Sequence, residues 1–418
     1  MWLYEAGIVG GVGGVAYAAV AAVAGPPDPT EVAKCCVVIL TVGVAIFALK
    51  KSAKKTAEYP ATVPTPPPRA YPKYELTKES FVKICEILID EAVDDLAAYE
   101  TRVSEREWIR KMLAYNVLGG KMNRGLMVVE AGRLIFQDRN IPITNDDLCR
   151  FAVLGCCIEW LQGWLLVADD FMDSSVTRRG QPCWYRVEGV DKIAINDAFL
   201  IEMLMFKAIK RHFGHLSCYA QLVDLVMETT LQTELGQLLD LRCEHVGLND
   251  FTLDRWTLIV KYKTAFYSFY LPVAMGMTLA GITDSREFDA ARNILVVMGI
   301  YFQAQDDFLD AFGTPEQIGK IGTDIQDKKC GWLFVHAYHS LCDPKQKAYL
   351  DKHYGNCSVG SREEQNIKKI YADVGLPKLY ADYEQASYDK IVSLKHAVKI
   401  VPWSVFEAFL KKIYKRSK

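Results

Sequence analysis

From Leu76 onward, apolar residues recur at spacings of three and four, and the strict alternation expected of half-buried strands is absent. Phe81, Ile84 and Leu88 make one such stripe. Asn293 to Phe312 is almost wholly apolar outside a few charged positions, as expected of a helix buried on all sides. Turn signals are sparse: Gly119-Gly120, Gly180-Gln181-Pro182 and Gly313-Thr314-Pro315. The pattern predicts an all-α chain in which several long helices surround a deep central cavity. Apart from one duplicated acidic motif, no internal repeat stands out.

The beginning of the chain obeys other rules. Nine of the sixteen prolines precede residue 73, so no continuous helix can run through it. Ala6 to Gly25 carries no charge and is rich in Gly, Ala and Val; Cys35 to Leu49 is a shorter uncharged stretch after Lys34. A bilayer span takes about 20 apolar residues, a length that the first stretch reaches with weak hydrophobicity and the second only if Lys34 snorkels. Gly7/Gly11 and Gly10/Gly14 have the spacing that lets helices approach in lipid. Lys50, Lys51, Lys54 and Lys55 would keep the C-terminal remainder of the chain on the cytosolic side. The expectation is a membrane anchor of one or two apolar helices over residues 1–55, a stiff Pro-rich linker over 56–73, and a folded domain over 74–418. The endoplasmic reticulum is the membrane expected. The alternative is organelle import with removal of the N-terminal segment, although a secretory signal wants a positive start and a presequence wants arginines, and none precedes Arg69.

Composition narrows the function. Half of the residues are apolar, enough for a large core, and a net charge of −2 argues against nucleic acid as a partner. The twelve cysteines are scattered without a Cys-x-x-Cys pair, so reduced and mostly buried thiols are expected. His336 and His339 lie one helical turn apart without acidic or Cys partners, which disfavours zinc.

The informative chemistry is acidic. Asp-Asp-x-x-Asp occurs twice, as Asp169, Asp170, Asp173 and as Asp306, Asp307, Asp310, each at the end of an apolar run. Residues three and four apart share a helix face, so like charges gather there, and a hard divalent cation is the simplest counterweight. Basic and Gly/Thr-rich stretches come after both copies, Ser174 to Pro182 and Gly319 to Lys329, supplying cations suited to phosphate. Two acidic clusters and their cations suggest one polyphosphate chelated from both sides through Mg²⁺.

Six longer segments carry a family resemblance: Gly119 to Gly125 (GGKMNRG), Glu159 to Arg186, Gln232 to Leu241, Val260 to Pro272, Phe302 to Gly313 and Gly319 to Lys329. With these, residues from about Tyr74 to Lys418 resemble the trans-isoprenyl diphosphate synthases, most closely the eukaryotic farnesyl-type enzymes. The resemblance implies an isoprenoid-synthase-type helical bundle and a homodimer. It implies head-to-tail condensation of dimethylallyl and then geranyl diphosphate with isopentenyl diphosphate, with three Mg²⁺ ions and manganese able to substitute. It places Arg178, Lys263 and Lys320 on the allylic diphosphate, and Lys121, Arg124 and Arg179, assisted by Gln162, on isopentenyl diphosphate. Lys263, Thr264 and Gln303 would stabilise the carbocation.

Family members of the farnesyl type carry two aromatics four and five positions before the first acidic motif. Here Trp164 keeps one ring while Leu165 replaces the other. At 1.5 Å per residue these side chains lie roughly 6 to 7.5 Å below the chelate, so Trp164 is expected to stop growth at fifteen carbons; both could equally be core residues. The basic tail that closes many members is shortened here, with Arg416 able to serve and Ser417 in place of a second arginine. A geranyl diphosphate or terpene synthase derived from the same fold would be expected to have lost the isopentenyl site. A silent membrane-tethered subunit would be expected to have lost an acidic cluster. Neither loss is visible in the sequence.

Overall fold

The computed structural model describes residues 66–314 and 322–414. The expected anchor over 1–55, most of the linker, Lys320, Arg416 and Ser417 lie outside the described residues. The helices are α1 (Lys78–Asp95), α2 (Val103–Val117), α3 (Asn123–Asp138), α4 (Asn145–Met172), α5 (Ile193–Phe213), α6 (Tyr219–Leu241), α7 (Leu253–Val260), α8 (Leu271–Leu279), α9 (Ser285–Phe312), α10 (Trp332–His336), α11 (Pro344–His353), α12 (Arg362–Asp373), α13 (Leu376–Ser393) and α14 (Trp403–Ile413). A π-helical segment, Lys261–Tyr270, joins α7 to α8 without a break.

Local sequence sets these boundaries. Thr77 starts α1 by accepting the Ser80 N–H at 3.2 Å, and Thr144 with Asp147 forms a reciprocal cap at the start of α4. α4 is apolar on nearly every side because α1, α2, α3 and α5 pack around it. Among the described helices it alone is long and apolar enough to cross a membrane, yet it is a core helix. The π segment lies between α6 and α9, where glycines let backbones meet. A Cβ on Gly236 would stand 2.1 Å from the Lys263 nitrogen, and one on Gly299 would stand 2.4 Å from the Ala265 Cβ. One apolar core lies around α4; a second underlies α10 to α13.

Two features depart from the sequence reading. Thr177–Arg178 and Gln181–Pro182 pair as a minimal antiparallel hairpin, too short to show alternation, turning through Arg179 and Gly180 at φ 54° and 78°. Cys85 of α1 and Cys156 of α4 form a disulfide with Cα atoms 5.5 Å apart, which corrects the expectation of reduced thiols throughout; helix packing, not sequence spacing, brings them together. The other described cysteines are free.

The described end of the linker is also tied down. The Arg69 N–H donates to buried Glu91 at 2.5 Å, and its guanidinium pairs with Asp94. Arg211 donates to the Pro67 carbonyl at 2.6 Å, and the Tyr71 hydroxyl lies 3.3 Å from His212 Nε2.

Candidate active site

The first acidic motif closes α4. Asp169 and Asp173 are four apart and share a face, whereas Asp170, rotated by about 100°, turns inward and is 3% exposed. Arg178, just beyond on the hairpin, holds Asp170 at 2.9 and 2.5 Å and reaches Asp169 at 3.3 Å. Asp169 also receives Gln237 at 2.9 Å and Lys263 at 3.2 Å, and Asp173 receives Lys329 at 3.1 Å. Asp240, at the end of α6, joins both lysines, accepting from Lys263 at 2.6 Å and Lys329 at 3.0 Å.

The second motif closes α9. Asp306 is half-buried. Asp307 faces the interior and accepts from Trp256 Nε1 at 2.9 Å, the Trp332 N–H at 2.8 Å and Gln303 Nε2 at 3.0 Å. Asp310 is buried and accepts the backbone N–H groups of Thr323 and Asp324 at 3.3 and 3.1 Å. Sequence spacing gathers three carboxylates within one turn of each motif; they do lie together, but they do not all face the same way. Helical geometry sends the middle aspartate of each into the wall, and among the described residues no group of three His, Cys, Asp or Glu side chains is arranged to hold a metal.

The two walls are neighbours. Lys329 touches Asp173 while the Trp332 N–H touches Asp307, so the walls are separated by no more than a lysine side chain and three residues, roughly 11 Å of extended backbone. The π segment makes a second bridge: Lys263 pairs with Asp169, and Thr264 Oγ1 donates to Gln303 Oε1 at 3.3 Å. Re-aiming successive side chains toward different helices is a use to which π-helical insertions are suited.

Charge governs this site. Burial disfavours ionised Asp169 and Asp240, but the adjacent lysines outweigh it, with Arg178 adding to them at Asp169, and hold both carboxyls below their usual range. Asp173 is pushed up, first by burial and then by Asp169. Asp307 rises to about 6, chiefly through burial. Burial would also lower Lys263, yet Asp240 and Asp169 hold its ammonium above its usual range.

A second pocket lies farther back along α4. Arg124, in the first turn of α3, donates to Ser268 Oγ at 2.7 and 3.0 Å and to the Tyr267 hydroxyl at 3.1 Å, with its guanidinium 4.8 Å from that ring. The network orients the Gln162 amide so that its oxygen accepts from Arg124 at 2.7 Å and its nitrogen donates to Glu159 at 3.2 Å. Arg179 lies across Gly119 and Gly120 and donates to the Asn116 carbonyl at 3.1 Å; a Cβ on Gly120, at φ 89°, would stand 2.9 Å from its Nε. Lys121 is exposed beside it. Arg124, Arg179 and Gln162 thus gather at one place, with Lys121 at its rim. Trp164 is buried in the main core and Leu165 is half-buried on the Asp169 face of α4.

Glu159, Asp240, Tyr267, Ser268 and Lys329 lie inside the family segments, yet sequence reasoning assigns them no role. Asp240 could have been suspected as a charge flanked by leucines, whereas Lys329 sits among Asp327 and Lys328 and nothing local singles it out. Nothing local signals that Tyr267 and Ser268 reach Arg124.

A family model for polyprenyl synthetases matches residues 106–374. The farnesyl diphosphate synthase of Dictyostelium discoideum is 45% identical over 345 residues, covering 80% of this chain and 89% of that protein. The farnesyl pyrophosphate synthase of Saccharomyces cerevisiae is 45% identical over 353 residues, covering 82% and 99%. Among solved structures, a T. brucei farnesyl diphosphate synthase complexed with a bisphosphonate superposes with a TM-score of 0.76 at 30% identity, covering 82% of this chain and all of that one. The bundle is the all-α isoprenoid-synthase fold. This chain belongs to the polyprenyl synthetase family.

Proposed function

We propose that this chain is a prenyltransferase that makes farnesyl diphosphate, condensing dimethylallyl and then geranyl diphosphate head-to-tail with isopentenyl diphosphate. The observation that carries the reading is the pairing of two sites of opposite character on α4: a carboxylate-rich one at its end and an arginine pocket farther back. Near full-length similarity to enzymes of that name supports it.

Family members are generally magnesium-dependent, and the donors here fit that ion. They are oxygens only, and Asp169 and Asp173 already share the cationic charge of Lys263 and Lys329. Asp169 and Asp173 on one wall and Asp306 on the other would hold magnesium; Asp310 remains bound to its loop, and Asp307 would act from behind as the anchor of Gln303. Bound magnesium would neutralise charge on the departing diphosphate. Arg178, Lys263 and Lys320 would grip that diphosphate as well. Lys121, Arg124, Arg179 and Gln162 would bind isopentenyl diphosphate without metal, Arg through paired donors. Thr264 and Gln303, hydrogen-bonded to each other between the walls, would supply oxygens to a developing allylic cation. The released diphosphate can take the final proton, so no side-chain base is required. Three ions, with manganese able to replace magnesium, complete the proposal.

Two further parts belong to this reading. A second copy of the chain is the proposed cover for an apolar stripe on α5 and α6. Phe199 and Met203 are 59% and 55% exposed, and Met227, Leu231, Leu235 and Leu238 continue the stripe at helical spacing. Leu231→Glu should yield a monomer in sedimentation. Residues 1–55 are proposed to anchor the enzyme to a membrane, with the catalytic domain on the cytosolic side.

The test is incubation of the full chain with dimethylallyl and isopentenyl diphosphates and magnesium, with the products then sized. Fifteen-carbon product is expected and turnover should vanish with a chelator. A ten-carbon end product, or none, overturns the farnesyl assignment.

A further inference from the structure

Asp197, in the second turn of α5, is a buried carboxylate outside both proposed substrate positions. Its Oδ2 accepts from Trp184 Nε1 at 2.8 Å, and Trp108 Nε1 of α2 donates to its two oxygens at 3.0 and 3.2 Å. Asp197 and Trp184 are 1% and 2% exposed. Among the described residues no cation pairs with Asp197. A carboxylate buried without a counter-ion is costly, so the groups it holds are the reason to look for a role. Burial pushes its carboxyl up, and the two indole bonds pull it back. A carboxylate offers acceptors alone, which suits two indole donors; an amide would turn a donor against one of them.

Trp184 opens the short turn that follows the hairpin of Thr177–Arg178 and Gln181–Pro182. That hairpin carries Arg178, which holds Asp169 and Asp170, and Arg179, which lies across Gly119 and Gly120. With two residue pairs it is too short to fix its own position. About 290 Å³ of empty space, partly open to solvent, lies between it, α2 and α4, lined by Asn116, Leu166, Asp170, Arg178 and Arg179. Packing against α4 therefore does not fix it either. Two hydrogen bonds tie the second strand and the turn after it to neighbouring helices: the Tyr115 hydroxyl donates to the Pro182 carbonyl at 2.7 Å, and the Trp184 indole donates to Asp197. The rings of Tyr115 and Trp108 flank that indole, with centroids 5.1 and 5.8 Å away.

We propose that Asp197 is a positioning residue that fixes the hairpin through Trp184, and with it the two arginines that grip the allylic and the isopentenyl diphosphate. The tether stands on the hydrogen bonds; its kinetic consequence rests on the synthase reading. Releasing Trp184 frees both guanidinium groups to drift, so both substrates bind more weakly together. Loss of folded enzyme, by contrast, lowers kcat and leaves KM alone.

Asp197→Asn, Trp184→Phe and Trp108→Phe are made in the full chain. Steady-state kinetics with each diphosphate varied in turn, and hydrogen exchange of the peptide over residues 174–186, are read for each. In Asp197→Asn and Trp184→Phe both KM values should rise at least about tenfold. The hairpin amides should exchange faster, and the double variant should be no worse than either single one. Trp108→Phe keeps the bond between Trp184 and Asp197 and should leave both KM values in place. Should Asp197→Asn fail to fold, Trp184→Phe carries the same test with the ring contacts kept. Unchanged hairpin exchange in both variants overturns the tether, as do additive losses in the double variant or an equal KM rise in Trp108→Phe. A fall in kcat at unchanged KM overturns the positioning role. If the unaltered chain makes no prenyl product, the synthase reading fails alone, because hairpin exchange is read without turnover.

Discussion

Gly155→Ala tests whether the crossing of α3 and α4 sets the isopentenyl pocket. A Cβ at this position would lie 2.4 Å from the Gly125 carbonyl oxygen, 2.9 Å from its carbon and 3.0 Å from its Cα. All three are backbone atoms, so no rotamer change relieves the contact. Carbon atoms rest at about 3.5 Å from their neighbours, so the helices must part by about 1 Å. Overpacking of this kind costs about 1–3 kcal/mol. The displaced element is the first turn of α3, which carries Arg124 and whose Gly125 N–H donates to buried Glu159 at 2.8 Å. Weakening one hydrogen bond to a charged group costs about 1.5–3 kcal/mol, and about 1.4 kcal/mol is tenfold in affinity. The KM for isopentenyl diphosphate should therefore rise at least tenfold. The KM for the allylic diphosphate should hardly move, because Asp169 lies fourteen residues on along α4, roughly 21 Å at 1.5 Å per residue. Thermal unfolding and steady-state kinetics with each substrate varied in turn supply the readouts. An unchanged melting temperature together with an unchanged isopentenyl KM would refute the argument, as would equal rises for both substrates.

Asp240→Asn removes the carboxylate shared by Lys263 and Lys329; the loss of charge-assisted bonds should reduce kcat about ten- to a hundredfold, with magnesium titration and single-turnover rates as the check. Trp164→Ala opens space near Leu165, and product sizing should show chains beyond fifteen carbons; an unaltered distribution would make Trp164 a core residue only. Asp307 has its carboxyl raised to about 6 in the folded chain, so its contribution to stability is full below about pH 4 and is lost as pH rises through 6. Denaturant unfolding between pH 4 and 7 should show that fall, and Asp307→Asn should flatten it.

The helical class was legible because apolar periodicity persists over long stretches, and α4 and α9 were visible as apolar runs ending in acid. The inward turn of Asp170 and Asp307 was also available from helical geometry, since adjacent positions differ by about 100°; grouping each motif as a triplet obscured it. The π segment was not legible, because Lys261 to Tyr270 has nothing that separates it from an ordinary helix. Its register depends on α6 and α9 pressing at Gly236 and Gly299. The Cys85–Cys156 link, the hold of Tyr267 and Ser268 on Arg124, and the clamp of Glu91 and Arg211 on the linker were equally hidden. Each joins residues far apart in sequence, and none carries a spacing that a single chain could announce.

The two proposed substrate positions differ in the sign of their charge, and this would account for a metal requirement at only one of them. Around the first motif, Asp169, Asp170, Asp173 and Asp240 supply four negative charges against three positive ones from Arg178, Lys263 and Lys329, a balance of 4 − 3, or one negative. A diphosphate entering there meets cations already committed to carboxylates, and Coulomb repulsion from the remainder grows as water is excluded. Divalent cations bound by these carboxylates would reverse that balance, which would tie substrate affinity to magnesium concentration. In the rear pocket, Lys121, Arg124 and Arg179 oppose only Glu159, a balance of 3 − 1, or two positive. Burial raises the Glu159 carboxyl and weakens even that opposition. Isopentenyl diphosphate can therefore be held by side chains alone, and its binding should be insensitive to magnesium where that of the allylic substrate is steep. On this reading the same fold would separate a leaving group that must be neutralised from one that must stay intact.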